Sequence, residues 1–185
     1  ERDLSSYIPT NLISITDGQI VLSPDLFARG VLPAVHIGLS VSRVGGKAQL
    51  PALREVAGRL RLEYAQFEEL ERFARFGADV DEATRSTLTR GRRIRASLAQ
   101  GALETVPVGS QIALLVAVSA GLFDPEAPSA YPEIEARLMR AVATEHEALL
   151  RHLEDGAKLD AGEREALLGT TRAVIAEANG PAAGA

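Results

Sequence analysis

His36-Ile37-Gly38-Leu39-Ser40-Val41-Ser42, followed at once by Arg43-Val44-Gly45-Gly46, alternates apolar residues with small or polar ones up to the arginine. Alternation at period two predicts a β-strand with one buried face, ending at Ser42. In open α/β sheets ligands sit beyond the carboxyl ends of the strands, and an arginine there can hold a permanent planar cation against phosphate oxygens. The same position also suits a solvated loop residue or a surface ion-pair partner. The pattern G-x-x-x-x-G-K-[ST] occurs nowhere in the chain. A phosphate met by Arg43 would therefore be held by another segment or another chain.

Upstream, Leu12 to Thr16 and Gln19 to Leu22 read as two more strands, and Asp17-Gly18 between them is a strong hairpin signal. Three strands with Pro9, Pro24 and Pro33 among them make too little sheet to stand alone. This half is expected to belong to a larger sheet whose other strands lie in a preceding segment or a partner.

Near Gln49 the period becomes helical. Pro51 suits a first helical position, and Leu53, Val56, Leu60, Tyr64, Phe67 and Leu70 form a stripe at three-to-four spacing, with Gly77 as its stop. Asp81 reads as the N-cap of a second helix through about Leu98, with Gln100-Gly101 ending it. A third helix holds Ile112 to Ala120. Pro132 opens a fourth, with Ile134, Leu138, Val142, Leu149 and Leu153 in its stripe and Gly156 at its end, and Asp160 caps a fifth carrying Leu167, Val174 and Ile175.

The 185 residues suffice for one core, and the apolar fraction of 46% is ordinary for a globular protein. A net charge of −5 argues against bulk attraction to nucleic acid or acidic membranes. Cysteine is absent, which excludes disulfides and thiolate metal sites. His146 and His152 lack metal-ligand spacing and read as solvated helix residues, so no metal site is expected. The apolar run from Ile112 to Phe123 is too short for a bilayer core of about 30 Å, and no hydrophobic signal region follows Glu1-Arg2-Asp3. Arg85, Arg90, Arg92, Arg93 and Arg95 form a basic cluster without interleaved aromatics to stack bases. Pairing with Glu68, Glu69, Glu71, Asp79 and Asp81, or with a partner subunit, is the expected role.

Ser6-Tyr7-Ile8-Pro9-Thr10-Asn11-Leu12-Ile13-Ser14-Ile15-Thr16-Asp17-Gly18-Gln19-Ile20 and Gly38-Leu39-Ser40-Val41-Ser42-Arg43-Val44-Gly45-Gly46 closely resemble the alpha subunit of F-type ATP synthases. The similarity continues through Gln66-Phe67-Glu68-Glu69-Leu70, Phe76-Gly77-Ala78-Asp79-Val80-Asp81 and Arg90-Gly91, and covers at least residues 3 to 124. The resemblance implies an α+β fragment. Residues 1–48 would be the end of a P-loop-type α/β nucleotide-binding domain, 49–179 an all-α C-terminal bundle of about five helices, and 180–185 a disordered tail.

The function implied is that of the non-catalytic alpha subunit in the soluble sector of a rotary ATP synthase, which couples ATP synthesis or hydrolysis to ion translocation. Alpha would alternate with beta subunits in a ring, peripheral on the cytoplasmic face of a bacterial inner membrane, without membrane insertion and without nucleic acid. The loop Phe76 to Asp81 would face the central rotor gamma subunit, while peripheral-stalk contacts lie elsewhere in the full subunit. Arg43 matches the arginine finger that alpha extends into the beta catalytic site, where such a group stabilises developing phosphoryl charge. Ser40 and Ser5 match positions near the same interface; their hydroxyls could equally satisfy local backbone.

ATP or ADP with Mg2+ is the implied ligand of the complex, and this chain, lacking a P-loop, is expected neither to bind it tightly nor to hydrolyse it alone. Phe27, Pro33 and Gln100 match the adenine side of the family's non-catalytic site. Leu32 stands where arginine is usual and Ala102 where a second glutamine is usual, which points to an alternate branch of the family. The competing reading is a helical protein-interaction module without nucleotide chemistry.

Overall fold

Of the segment Leu12 to Thr16, residues 12–15 are helical rather than extended, and Thr16 is the extended C-cap. In the computed structural model, which describes residues 4–74, 81–101, 103–124 and 126–179, helix α1 spans Tyr7–Ile15. Its hydroxyls are satisfied along the helix: Thr10 Oγ1 donates to the Ser6 carbonyl at 2.8 Å, Ser14 Oγ to Asn11 at 2.7 Å and Thr16 Oγ1 to Leu12 at 2.9 Å. Pro9 falls in the first turn, where no intrahelical N–H is needed.

The Asp17-Gly18 hairpin is therefore not formed. Gly18 belongs instead to strand β1 (Gly18–Gln19), and helix α2 (Pro24–Ala28) follows, with the Ser23 hydroxyl accepting from Leu26 N–H. Strand β2 (Val41–Ser42) pairs antiparallel with β1, Gly18 opposite Ser42 and Gln19 opposite Val41. A Cβ on Gly18 would stand 2.3 Å from the Val41 carbonyl oxygen, so only glycine allows this approach. The strand expected over His36 to Ser42 shrinks to its last two residues, because Ser40 N–H bonds back to the His36 carbonyl and closes 37–39 into a turn. Alternation signalled the two-sided environment, but a two-residue ladder is all that forms without further strands beside it.

The chain divides into two units, Glu1–Gln49 and Leu50–Ala185. In the first, Leu26 is the one large apolar side chain that is buried among the described residues. Tyr7, Ile8, Leu12, Ile15, Ile20, Leu22 and Phe27 are all exposed.

The second unit holds the core. Helix α3 (Pro51–Ala74) starts at the expected proline and buries Val56, Leu60, Tyr64 and Phe67. Helix α4 (Glu82–Ser97) is capped by Asp81, whose carboxylate accepts from Thr84 N–H at 2.8 Å; those Thr84 bonds hold the acid below its ordinary pKa. Against α3, Gly91 faces Phe67 so closely that a Cβ would lie 1.9 Å from the ring.

Helix α5 (Val108–Ser119) begins four residues earlier than Ile112, because Gly109 and Ser110 pack tightly and the Glu154 carboxylate accepts from Gly109 N–H at 3.0 Å. An acid at a helix N-terminus satisfies an orphan donor and opposes the dipole. The expected fourth helix is two, α6 (Tyr131–Glu145) and α7 (Glu147–Glu154), broken at His146 (φ −124°, ψ 27°). The break redirects α7 so that Leu150 and Leu153, rather than Leu149, are its buried residues. Helix α8 (Ala161–Asn179) starts on a reciprocal box, Glu163 N–H to Asp160 Oδ1 at 2.8 Å and Asp160 N–H to Glu163 Oε2 at 2.9 Å.

The apolar α5 is central and packs on α3, α6, α7 and α8. Tyr131 is buried with its hydroxyl donating to the Phe123 carbonyl at 3.0 Å. No described helix is long and apolar enough to cross a membrane. The helix stop at Gly77, most of the Phe76 to Asp81 loop and the tail 180–185 lie outside the described residues.

Candidate functional site

Arg43 lies directly after β2, exposed, at the place where the short ladder ends. Its N–H donates to the Asp17 carbonyl at 2.8 Å, which ties the turn to the start of β1. Its guanidinium Nη2 donates to the Ile13 and Ser14 carbonyls at 3.2 and 3.1 Å. These are final-turn carbonyls of α1, so a permanent cation sits on the negative end of the helix dipole. One edge of the planar fork is thus occupied by backbone. Nε and Nη1 have no bonded partner among the described residues.

Ser40 lies three residues before Arg43, and its hydroxyl is engaged locally. It donates to the His36 carbonyl at 2.8 Å and accepts from Val21 N–H at 3.0 Å. Of the two roles open to it, backbone satisfaction is the one its geometry displays. Ser5 is exposed in the turn before α1.

Phe27 projects from α2 with 69% of its surface exposed, an unusual degree for a large aromatic side chain. Pro33 and Leu32 follow in the same unit, exposed and joined by a cis peptide bond. Gln100 belongs to the helical unit, just after α4, with its side-chain amide donating to the Glu104 carbonyl. Ala102 lies outside the described residues.

The arginines of α4 are largely paired within the bundle, with partners that differ from those expected. Arg95 makes a two-pronged bond to Glu71 at 2.9 and 3.0 Å and lies over the Phe67 ring at 4.6 Å. Arg90 bonds Glu63 at 3.3 Å and Asp124 at 2.9 Å, Arg93 approaches Asp124 at 3.7 Å, and Arg85 pairs with Glu82. Of the expected acidic set only Glu71 is in these pairs; Glu63 and Asp124 are reached because α4 crosses α3 next to the end of α5. His146 is half-buried rather than solvated, its Nε2 2.9 Å from Thr170 Oγ1, which in turn donates to Glu145.

A half-buried acid escaped the sequence reading. Glu135 of α6 has its Oε1 enclosed and without a hydrogen-bond partner among the described residues, as does the hydroxyl of Ser97 at the end of α4. Burial pushes the Glu135 carboxyl up to about 7, with the neighbouring Ser97 hydroxyl opposing. The signal available was spacing: Glu135 is four residues before Met139, on the flank of the Ile134 and Leu138 stripe.

Residues 49–174 match the family model described as ATP synthase alpha/beta chain, C terminal domain, and residues 1–42 match the nucleotide-binding domain of the ATP synthase alpha/beta family. The chain belongs to the ATP synthase alpha/beta family, with residues that match its nucleotide-binding domain followed by residues that match its C-terminal domain. Three relatives carry the name of one subunit. ATP synthase subunit alpha 1 of Rhodopirellula baltica is 55% identical over 159 residues, 86% of this chain and 32% of the relative. ATP synthase subunit alpha 2 of Albidiferax ferrireducens is 55% identical over 176 residues, 95% of this chain and 33% of the relative. ATP synthase subunit alpha 1 of Chlorobium luteolum is 53% identical over 174 residues, 94% and 34% respectively. The chain spans about a third of the length of the relatives it matches. Arg43 falls between the two family matches.

Proposed function

We propose that this chain acts as the C-terminal part of an ATP synthase alpha subunit and supplies Arg43 to a nucleotide held by a neighbouring beta-type subunit. The observation that carries the reading is Arg43 itself: exposed at the end of β2, with Nη2 fixed on the α1 carbonyls and Nε and Nη1 uncommitted. Such an anchor would pre-orient the guanidinium, so that less side-chain freedom is lost when it meets a phosphoryl oxygen. Lysine cannot reproduce the arrangement, because its single ammonium nitrogen cannot stay on the α1 carbonyls and also present a separate donor edge to a phosphoryl oxygen.

In this reading the beta-type partner binds MgATP and carries the bond-making chemistry. The present chain's residues hold a cation near the developing charge. Ser40 would support Arg43 through the backbone of the preceding turn, and Ser5 would lie along the same interface. The complex would alternate alpha and beta around a rotor, couple turnover to ion movement, and sit peripherally at the membrane.

The non-catalytic nucleotide site is reduced in this account. Phe27 offers an exposed ring for an adenine face, but Leu32 has no polar group, and the Gln100 amide is already bonded to Glu104. Numbered forms, alpha 1 and alpha 2, among the relatives accord with an alternate branch.

A second role is favoured by the Nη2 bonds, namely that Arg43 serves only to cap α1 within a protein-binding module. The two separate in an assembled complex bearing Arg43→Lys. As an arginine finger, the substitution lowers multisite ATP turnover by roughly 10³-fold or more, while nucleotide binding and assembly stay near normal. As a structural cap, assembly loosens and turnover per assembled complex survives.

A further inference from the structure

A cavity of about 180 Å³ opens between the end of α4, the chain that follows it, α5 and α6. It exceeds by several-fold the roughly 30 Å³ that one water occupies in the liquid. Its walls are mostly apolar, with Leu114 and Leu115 from α5 and Met139 from α6. Two polar groups meet there, the Ser97 hydroxyl, on a residue only 3% exposed, and Glu135 Oε1; Ser97 is near enough to the carboxyl to hold its pKa down, but neither atom makes a hydrogen bond of good geometry. The other polar side chains at the rim are committed, Gln111 to the Val106 carbonyl at 2.7 Å and Gln100 to Glu104. Glu135 is the single ionisable residue among those lining the space.

A buried acceptor left without a donor costs on the order of 1–3 kcal/mol, and more when charged, so an occupant that donates to both groups recovers a penalty the fold already bears. One water bridging Ser97 and Glu135 would have the two polar partners it needs, but the leucine and methionine walls offer none to water filling the rest of the space. An anion would meet the Glu135 carboxylate with no cation in the lining to offset it. The complementary chemistry is a cation with a short apolar body.

We propose that this cavity is a binding site for a small primary alkylammonium, whose N–H groups donate to Glu135 Oε1 and Ser97 Oγ while its alkyl chain lies against Leu114, Leu115 and Met139. The site lies wholly within the helical unit and is independent of the nucleotide chemistry proposed for Arg43. Burial raises the carboxyl's pKa, as expected of an acid awaiting a counter-charge.

The test titrates the 185-residue chain at about pH 8, where the carboxyl is ionised, with n-butylammonium, n-butanol and butyrate, following methyl NMR shifts of Leu114, Leu115 and Met139. The expected result is saturable butylammonium binding in the millimolar range or tighter, about tenfold weaker binding of butanol and none of butyrate. Glu135→Gln should lose about tenfold for butylammonium and leave butanol unchanged. Met139→Phe, which fills the space, should abolish both and serves if the Gln variant does not fold. Equal affinity for alcohol and amine, unchanged binding in Glu135→Gln, or no saturation by about 50 mM would overturn the proposal.

Discussion

Glu135 folds with its carboxyl against apolar walls, and burial lifts its pKa from the ordinary 4.5 to about 7. In the unfolded chain the proton leaves near the lower value, in the folded chain near the higher, so between them the folded state binds the extra proton. This group's stabilising share is therefore complete below the lower value and disappears as pH rises through the higher one. From about pH 5 to about pH 8, stability is expected to fall by about 2 kcal/mol on this account, after discounting for the part of the side chain that faces solvent. Glu135→Gln should remove that share of the slope. Urea unfolding of both proteins at the two pH values measures it, and parallel slopes would refute the assignment. Arg43 was legible from the sequence as an exposed arginine after a strand. Its bonds to Ile13 and Ser14 were not, because they depend on α1 being a helix, and the β-branched residues of that segment signalled the opposite.

The α3 and α4 crossing rests on an absent side chain. Gly91 is buried, and a methyl there would penetrate the Phe67 ring, itself fully enclosed. Gly91→Ala gains up to about 1 kcal/mol of helix propensity, whereas forcing Phe67 out of place costs roughly 1–3 kcal/mol or more. Net destabilisation of about 2 kcal/mol is expected, and Phe67→Leu added to Gly91→Ala should recover part of it. Chemical denaturation of the single and double variants tests this; a stabilised Gly91→Ala protein would show that the helices have room to part. Helix starts with their own chemistry were readable, as Pro51, Asp81 and Asp160 demonstrate. The division between α6 and α7 was not, since Val142 and the following leucines keep a plausible helical spacing across His146. What breaks that helix is packing: α7 presents Leu150 and Leu153 to the core and Glu154 to the start of α5, and periodicity along one segment holds no information about its partner.

Two units share one chain with unequal cores. Beyond Leu50, buried apolar residues come from every helix, whereas 4–49 encloses Leu26 and leaves its other large apolar residues half-buried or exposed. Burial at roughly 25 cal/mol per Å² stabilises the helical unit far more than 4–49. Amide exchange of the chain alone is therefore expected to be slow in α5 and α6 and fast throughout 4–49, by at least about a hundredfold in protection. Equal protection in both would mean that the N-terminal unit finds its stability in contacts other than an apolar core. That this part would hold little sheet could be read from its few strand signals; which residues would form the ladder could not, because pairing partners in a two-stranded sheet are fixed by contacts far apart in sequence. The tyrosines follow the same division. The chain has three and no tryptophan. Tyr7 is 82% exposed in α1, while Tyr64 and Tyr131 are enclosed in the bundle. Ultraviolet emission from the unlabelled protein therefore divides into one component that acrylamide can quench and one that it cannot, so a single cuvette reports on the weak half and the strong half separately.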